Sequence, residues 1–459
     1  SHLRVWRQRD GHHGGFYHDI PELLEPLPET VDLKAGERLQ LLIALHSNRR
    51  NRETPALSFA AFTEAGDGAG AARASFDLVG QSSAEFLAPS PDGVVWGLYP
   101  DPGHWLSYTD KQLQDELLWL RDCGMNSMLL YVLSALTLPE KLTDANLDAA
   151  LADWRASLEE WSARYIAPLY ALGYGPTLVA NVQSLDTALA RPMGEEVVVD
   201  GAYNPHVLEY ERRFLQVLED LRIERGWPEF TWHVIDEPGS GRNPIALAEF
   251  GLLKEMGLRA FSTANKPSAV RDFADVLDDF CASSGVFGNP DEAARAHEWL
   301  AHRDDARLWL YGGAGTYTGQ EGTMAANRWG TGFLVWRNGT TGQFYWTFQR
   351  VTGSSFDDFD GKRGKDFCLT YPDPAGGASL STLQWEGICE GIVDYRHLVT
   401  LEAEIVRARE DGRADVANRV AGELEALRAE LWAREERPTN RMLDDWRERV
   451  AGWIAELAG

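Results

Sequence analysis

The string FTWHVIDEP, from Phe230 to Pro238, runs from an apolar, aromatic stretch into two adjacent carboxylates, Asp236 and Glu237, and then into a Gly-Ser-Gly-Arg turn. Neighbouring carboxylates repel when both are ionised, so a tightly placed pair tends to separate its two pKa values. One member can then donate a proton while the other stays anionic, which is what acid-assisted bond cleavage needs. A lone Asp-Glu-Pro can equally cap a turn. Its position at the end of a strand favours the chemical reading, provided the surrounding elements bring strand ends together.

Those elements fall into three parts. Residues 1–98 read as a small β-rich, sandwich-like domain, because the short apolar runs RLQLLIALHS, ALSFAAFTEA, ASFDLVG and GVVWGLY are separated by polar and Gly-rich breaks. At Thr109, a suitable N-cap, a helix begins with Leu113, Leu117, Leu118 and Leu120 marking its apolar face, and Gly124 ends it. Helices of 10 to 20 residues then alternate with strands such as PTLVANV, FTWHVIDEP, LRAFSTA, ARLWLYGGAG and GQFYWTF. This alternation predicts an α/β fold, a (β/α)8 TIM-like barrel over residues 99–396, with catalytic groups at the C-terminal strand ends. An open doubly wound sheet is disfavoured, since no GxGxxG turn follows the early strands. Residues 397–459 read as a C-terminal helical extension, packed on the barrel flank, with Pro438 and Thr439 separating two final helices.

Composition bounds the partners. Against 44 Lys and Arg stand 70 Asp and Glu, a formal net charge of −26, which repels nucleic acid and anionic lipid and leaves neutral partners as the expectation. The 17 Trp, one in 27 residues, exceed what an ordinary core requires, so either the core is aromatic or something flat is held. Cys123, Cys281, Cys368 and Cys389 are widely spaced without CxxC, so no metal site, cofactor or disulfide framework is expected. No run approaches 18 apolar residues and the first residues lack a signal peptide's apolar core, so the expectation is a soluble protein, cytoplasmic or exported by a signal outside this sequence. FDDFDGKRGKDF, from Phe356, lacks the ligand spacing and final Glu of a calcium loop and reads as a solvated loop. Glu386, Glu390 and Asp394 recur at four-residue steps and read as surface or barrel-capping charges.

Several strings carry a wider likeness: WLRDCGMNSMLLY, IDEP at Ile235 to Pro238, NRWGTGFLVWRNGTTGQFYW from Asn327, and WEGICEGIVDYRHL from Trp385. In this order, over roughly residues 100 to 400, the chain resembles glycoside hydrolase family 123 and its larger group of domain-of-unknown-function 4091 proteins, whose characterised members are β-N-acetylgalactosaminidases. The resemblance implies a retaining hydrolase acting on a neutral glycan or glycoconjugate, in which the sugar's own 2-acetamido oxygen attacks the anomeric carbon. Glu237 would then protonate the leaving oxygen and Asp236 would orient the acetamido nitrogen. The sequence departs from the family at Gln384, where many relatives carry Arg, and in its short N-terminal β region. A conventional nucleophile is absent from ARLWLYGG and GQFYWTF, which carry no carboxylate.

Aromatic residues near the late strand ends, Tyr311, Trp336, Tyr345 and Trp346, are candidates for a box that stacks on a sugar ring. Tyr131 and Asn181 end earlier strands, His233 alternates with Val234 inside one, and Arg337 with Asn338 would bind sugar hydroxyls or close a turn. Two rival readings stand beside the first. One is a glycosidase for a sugar without an acetamido group, using Glu237 with Asp236, Asp358 or Asp360; the other is a carbohydrate-binding protein without turnover.

Overall fold

Eight parallel strands close into a barrel in chain order: β1 (Val95–Leu98), β2 (Ser127–Tyr131), β3 (Leu178–Asn181), β4 (Phe230–His233), β5 (Arg259–Ala264), β6 (Asp279–Ala282), β7 (Arg307–Gly313) and β8 (Gly342–Trp346), which pairs back onto β1. A helix follows each: α1 (Asp110–Cys123), α2 (Leu147–Tyr165), α3 (Pro205–Arg225), α4 (Asn243–Glu255), α5 (Pro267–Phe273), α6 (Pro290–Leu300), α7 (Met324–Thr331) and α8 (Leu383–Glu410). This computed structural model describes residues 93–100, 105–175, 177–239, 243–313, 322–351, 353–355, 366–434 and 436–458. It also describes Leu24 and the backbone of two N-terminal hairpins. These hairpins pair His2–Arg9 with His12–Pro21 and Ala56–Ala61 with Ala72–Asp77. The strand expected over RLQLLIALHS, and the loop residues 356–365 with Asp358 and Asp360, lie outside the described residues.

Local chemistry sets the helix boundaries. Thr109 and Gln112 form a reciprocal capping box at the start of α1, and Gly124 ends it at a φ of 112° that side chains disfavour. The barrel begins earlier than the sequence suggested. Val95–Leu98, read as the last strand of the N-terminal region, is hydrogen-bonded between β8 and β2 and is the first barrel strand. A four-residue apolar run carries no mark of which sheet it joins, so a boundary after residue 98 leaves the first barrel strand on the wrong side.

Strand alternation divides the core. Val95, Leu129, Val179, Phe261, Cys281, Trp309 and Phe344 point inward and fill the barrel, whereas Trp96, Leu130, Trp232, Leu310 and Tyr345 point outward to the helices. At the N-terminal strand ends, buried Asp279 is bracketed by Arg307 (Nε to Oδ1, 2.5 Å) and Arg259 (Nη2 to Oδ1, 2.8 Å). Burial alone would raise the Asp279 carboxyl, but the two guanidinium groups outweigh it and hold it below the usual carboxylate range.

The barrel also runs on without a break into the C-terminal helices. α8 crosses residue 397 as one 28-residue helix, followed by α9 (Ala414–Trp432) and α10 (Asn440–Ala458). Asp394, expected to be a surface or capping charge, is fully buried. It pairs with Arg328 of α7 at 2.7 Å and with Arg447 of α10, tying three helices together. The same string owes its glycines to close packing. A Cβ at Gly387 would lie 2.3 Å from the Met324 carbonyl oxygen, and one at Gly391 2.7 Å from that of Arg328, so α7 and α8 meet this closely only without side chains there. Cys123 and Cys389 form a disulfide between α1 and α8, contrary to the expectation from their wide spacing. Spacing of 266 residues hides a contact that only barrel closure creates.

Candidate active site

A cavity of 620 Å³ opens at the C-terminal ends of the strands, lined in part by Asp236, Glu237, Tyr131, Asn181, Tyr311 and Trp346. The rule that builds it is simple. The inward residue at or just past the end of every strand faces this end: Tyr99, Tyr131, Asn181, His233, Thr263, Ser283, Tyr311 and Trp346 in turn. Register aligns Tyr131 with Asn181 and Asn181 with His233 across β2, β3 and β4. Phe261, Trp309 and Phe344, with ring centroids 5.6 to 5.8 Å apart, form an aromatic plug within the barrel interior.

The acid pair sits three residues past β4. Asp236 is partly exposed and Glu237 is exposed to the cavity, with a φ of 45° in the left-handed region that costs a non-glycine residue about 1–3 kcal/mol. Thr263 fixes both. Its hydroxyl accepts the Glu237 backbone N–H at 2.9 Å and donates to Asp236 Oδ1. His233 Nε2 lies 3.7 Å from the same Asp236 oxygen.

The Tyr99 and Tyr311 phenols beside the pair are donors, not anions. Burial raises Tyr99 well above its ordinary value, with the Cys281 thiol, Tyr311 and the Asp236 charge adding to the effect. Tyr311 is raised in the same way, by burial first and then by Cys281, Asp236 and Glu237. A neutral phenol beside a carboxylate presents O–H to an incoming acceptor. Asn181 accepts the Gln183 N–H at 3.0 Å, which orients its amide. Trp346 packs against Phe367 at 4.9 Å and under the Arg350 guanidinium at 5.5 Å, which holds its ring in the wall.

Of the residues singled out from sequence, Asp236, Glu237, Tyr131, Asn181, His233, Tyr311 and Trp346 meet in this cavity. Three do not. Tyr345 is one residue out of phase with Trp346, so its ring points to the helix layer, where its hydroxyl bonds Thr331. Trp336 and Arg337 lie on a short helix, Phe333–Arg337, that leads into β8 and so belongs to the opposite end of the barrel. There Trp336 donates to Glu402 at 2.9 Å beneath Arg428, and Arg337 stacks on Trp432 at 3.9 Å. Asn338, next in the chain, is buried.

Sequence reasoning missed Tyr99, Thr263, Asn265, Ser283 and Ser284. The strand-end rule that selects Tyr131 and Asn181 reaches Tyr99, Thr263 and Ser283, whereas Asn265 and Ser284, like Gln183, lie one or two residues beyond it. Tyr99 follows a strand that the sequence pattern assigns to the N-terminal region, and the small polar residues carry no ring-stacking signature.

No protein-family model matches this sequence, and no curated protein matches it. Among solved structures, a family 123 glycoside hydrolase from Clostridium perfringens, described for glycolipid glycan hydrolysis, has a similar fold. The two are 12% identical, with a TM-score of 0.60 over 89% of this chain and 77% of that one. An endo-β1,6-glucanase, at 10% identity and TM-score 0.42, covers 68% of this chain and 79% of its own, and SrfJ from Salmonella typhimurium, at 11% and 0.42, covers 70% and 80%.

Proposed function

We propose that the chain is a retaining glycoside hydrolase that cleaves β-linked N-acetylhexosamine, with N-acetylgalactosamine as the preferred sugar, through an oxazolinium intermediate. The observation that carries this reading is the carboxylate inventory of the cavity. Among the described residues that line it, Asp236 and Glu237 are the only carboxylates, and they are chain neighbours held by one hydroxyl. Conventional retention needs two carboxyl groups flanking the sugar at about 5–5.5 Å, normally from separate strands. Here the inward position at the end of β7 is Tyr311.

In this mechanism the substrate supplies its own nucleophile. Asp236, anionic, accepts the acetamido N–H and steadies the positive charge that develops as the acetamido oxygen bonds to the anomeric carbon. Glu237 gives its proton to the departing oxygen. It then takes a proton from the water that opens the oxazolinium, so configuration is retained. Tyr131, Tyr311 and Trp346 supply rings for the sugar's C–H faces, and the neutral amides and hydroxyls of Asn181, Gln183, Asn265, Ser283 and Ser284 suit its hydroxyl groups. No Lys or Arg lines the cavity among the described residues, which fits a neutral sugar. The family resemblance supports this sugar class, and the fold shared with the Clostridium perfringens enzyme, whose description names glycolipid glycan hydrolysis, supports glycan cleavage.

Aryl β-glycosides of N-acetylgalactosamine, N-acetylglucosamine and galactose test the reading. The expected outcome is turnover of the first, slower turnover of the second and none of the third. Hydrolysis of the galactoside would point instead to a glycosidase using a separate carboxylate nucleophile.

A further inference from the structure

His233 is 1% exposed, and neither of its ring nitrogens has a hydrogen-bond partner among the described residues. Burying polar nitrogens without partners is unfavourable, so an imidazole held this way needs a reason in the function of the site. Phe261, edge-on at 5.1 Å, and Tyr99, edge-on at 6.4 Å, fix its ring. Nε2 stands 3.7 Å from Asp236 Oδ1, too long for a hydrogen bond and within reach of one after a shift of under about 1 Å.

We propose that His233 is a positioning residue for Asp236: its Nε2–H reaches Oδ1 by small excursions in the free protein and closes fully onto it when the substrate enters, committing that oxygen to the protein and reserving Oδ2 for the acetamido N–H. This rests on the reading of Asp236 as the group that steadies the acetamido. Thr263 already donates to Oδ1, and a second donor there would hold the carboxylate ionised at the moment positive charge develops beside it. The other titratable groups facing the pair are Glu237, the phenols of Tyr99, Tyr131 and Tyr311, and the thiol of Cys281 below. Burial keeps the Tyr99 and Tyr311 phenols and the Cys281 thiol neutral, so none of these three competes as a charge for the imidazole N–H.

His233→Phe removes both nitrogens and keeps a ring, and His233→Gln returns an N–H at the reach of Nε2. His233→Leu supplies the same comparison should the phenyl ring not pack. Two readouts separate positioning from mere packing. The first is carboxyl carbon NMR of aspartate-labelled protein, with Asp236 assigned by Asp236→Asn. Without substrate, the Asp236 carboxyl should titrate at higher pH in His233→Phe than in the wild type and return in His233→Gln; an unmoved titration overturns the proposal. The second is kinetic, on an aryl N-acetylgalactosaminide. His233→Phe should lower kcat roughly 10- to 100-fold with KM little changed, and should add no further loss in an Asp236→Asn background. Additive losses, or a loss in KM alone, would make His233 a direct sugar ligand and remove the positioning role. A wild type inactive on every aryl glycoside would sink the glycosidase reading, while the titration would still decide whether His233 acts on Asp236.

Discussion

The backbone N–H of Glu237 donates to the Thr263 hydroxyl at 2.9 Å, and the same hydroxyl donates to Asp236. One side chain on β5 therefore sets the left-handed turn that presents Glu237 and the orientation of its neighbour. Thr263→Val keeps the shape and loses both bonds, whereas Thr263→Ser keeps both. The expected result is a fall in kcat of roughly 10- to 100-fold for valine and under about 3-fold for serine. Equal activity in the two variants would mean that the tether does not matter.

Glu116 stands on the apolar face of α1 among Leu113, Leu117 and Leu120, accepting the Ser379 N–H at 2.7 Å. Burial pushes its carboxyl up to about 7, against the Ser379 hydrogen bonds that lower it. A raised carboxyl binds its proton more tightly in the folded state. The stabilising contribution is therefore complete below the ordinary value of 4.5 and is lost as pH rises through about 7. The loss is on the order of 3 kcal/mol. Glu116→Gln retains an acceptor for Ser379 and has no charge to bury. Thermal melts from pH 5 to 8 should show a smaller decline in Tm for the variant than for the wild type.

Buried Asp279, bracketed by half-buried Arg259 and Arg307, closes the N-terminal end of the barrel, far along the strands from the cavity. Asp279→Asn removes the carboxylate shared by two partly buried guanidinium groups, leaving Arg259 with Asp305 at 3.7 Å, and should lower the free energy of unfolding by about 3 kcal/mol in denaturant titrations. Catalytic constants of the protein that remains folded should stay close to the wild type.

How far the sequence reached depended on periodicity. The repeat of strands and helices was plain because each element is long enough to show its period, and FTWHVIDEP named its own strand end. The phase within a strand was harder. Tyr345 and Trp346 are adjacent, equally aromatic and equally near the end of β8, and only the inward position of Phe344 decides between them. Trp336 and Arg337 failed for another reason. They precede a strand rather than follow one, and the C-terminal helices that cover them lie about 60 to 100 residues later in the chain. Asp394 and the Cys123–Cys389 disulfide were likewise invisible, since their partners are separated in sequence and meet only through the packing of α1, α7, α8 and α10. Most of the Trp surplus resolves into packing. Trp96, Trp154, Trp232, Trp309 and Trp385 are fully buried, and Trp346 is the tryptophan on the cavity wall among the described residues.

The Cys123–Cys389 disulfide joins α1 to α8 across a separation of 266 residues, so it restricts the unfolded chain widely. Replacing both cysteines with serine should lower unfolding stability by about 2–4 kcal/mol in urea titrations. Activity at 25 °C should be retained, because both residues lie on the outer helices and not on the cavity wall.

The most direct test is the leaving-group dependence of two variants, Glu237→Gln and Asp236→Asn, on N-acetylgalactosaminides with a good and a poor aryl leaving group. Glu237→Gln should lose most of its kcat/KM on the poor leaving group and far less on the activated one, because the activated phenolate departs without a proton. Asp236→Asn should lose similarly on both, because the acetamido is no longer steadied whichever group departs. Small and equal effects in both variants would contradict the assignment of acid and stabiliser on which the account stands.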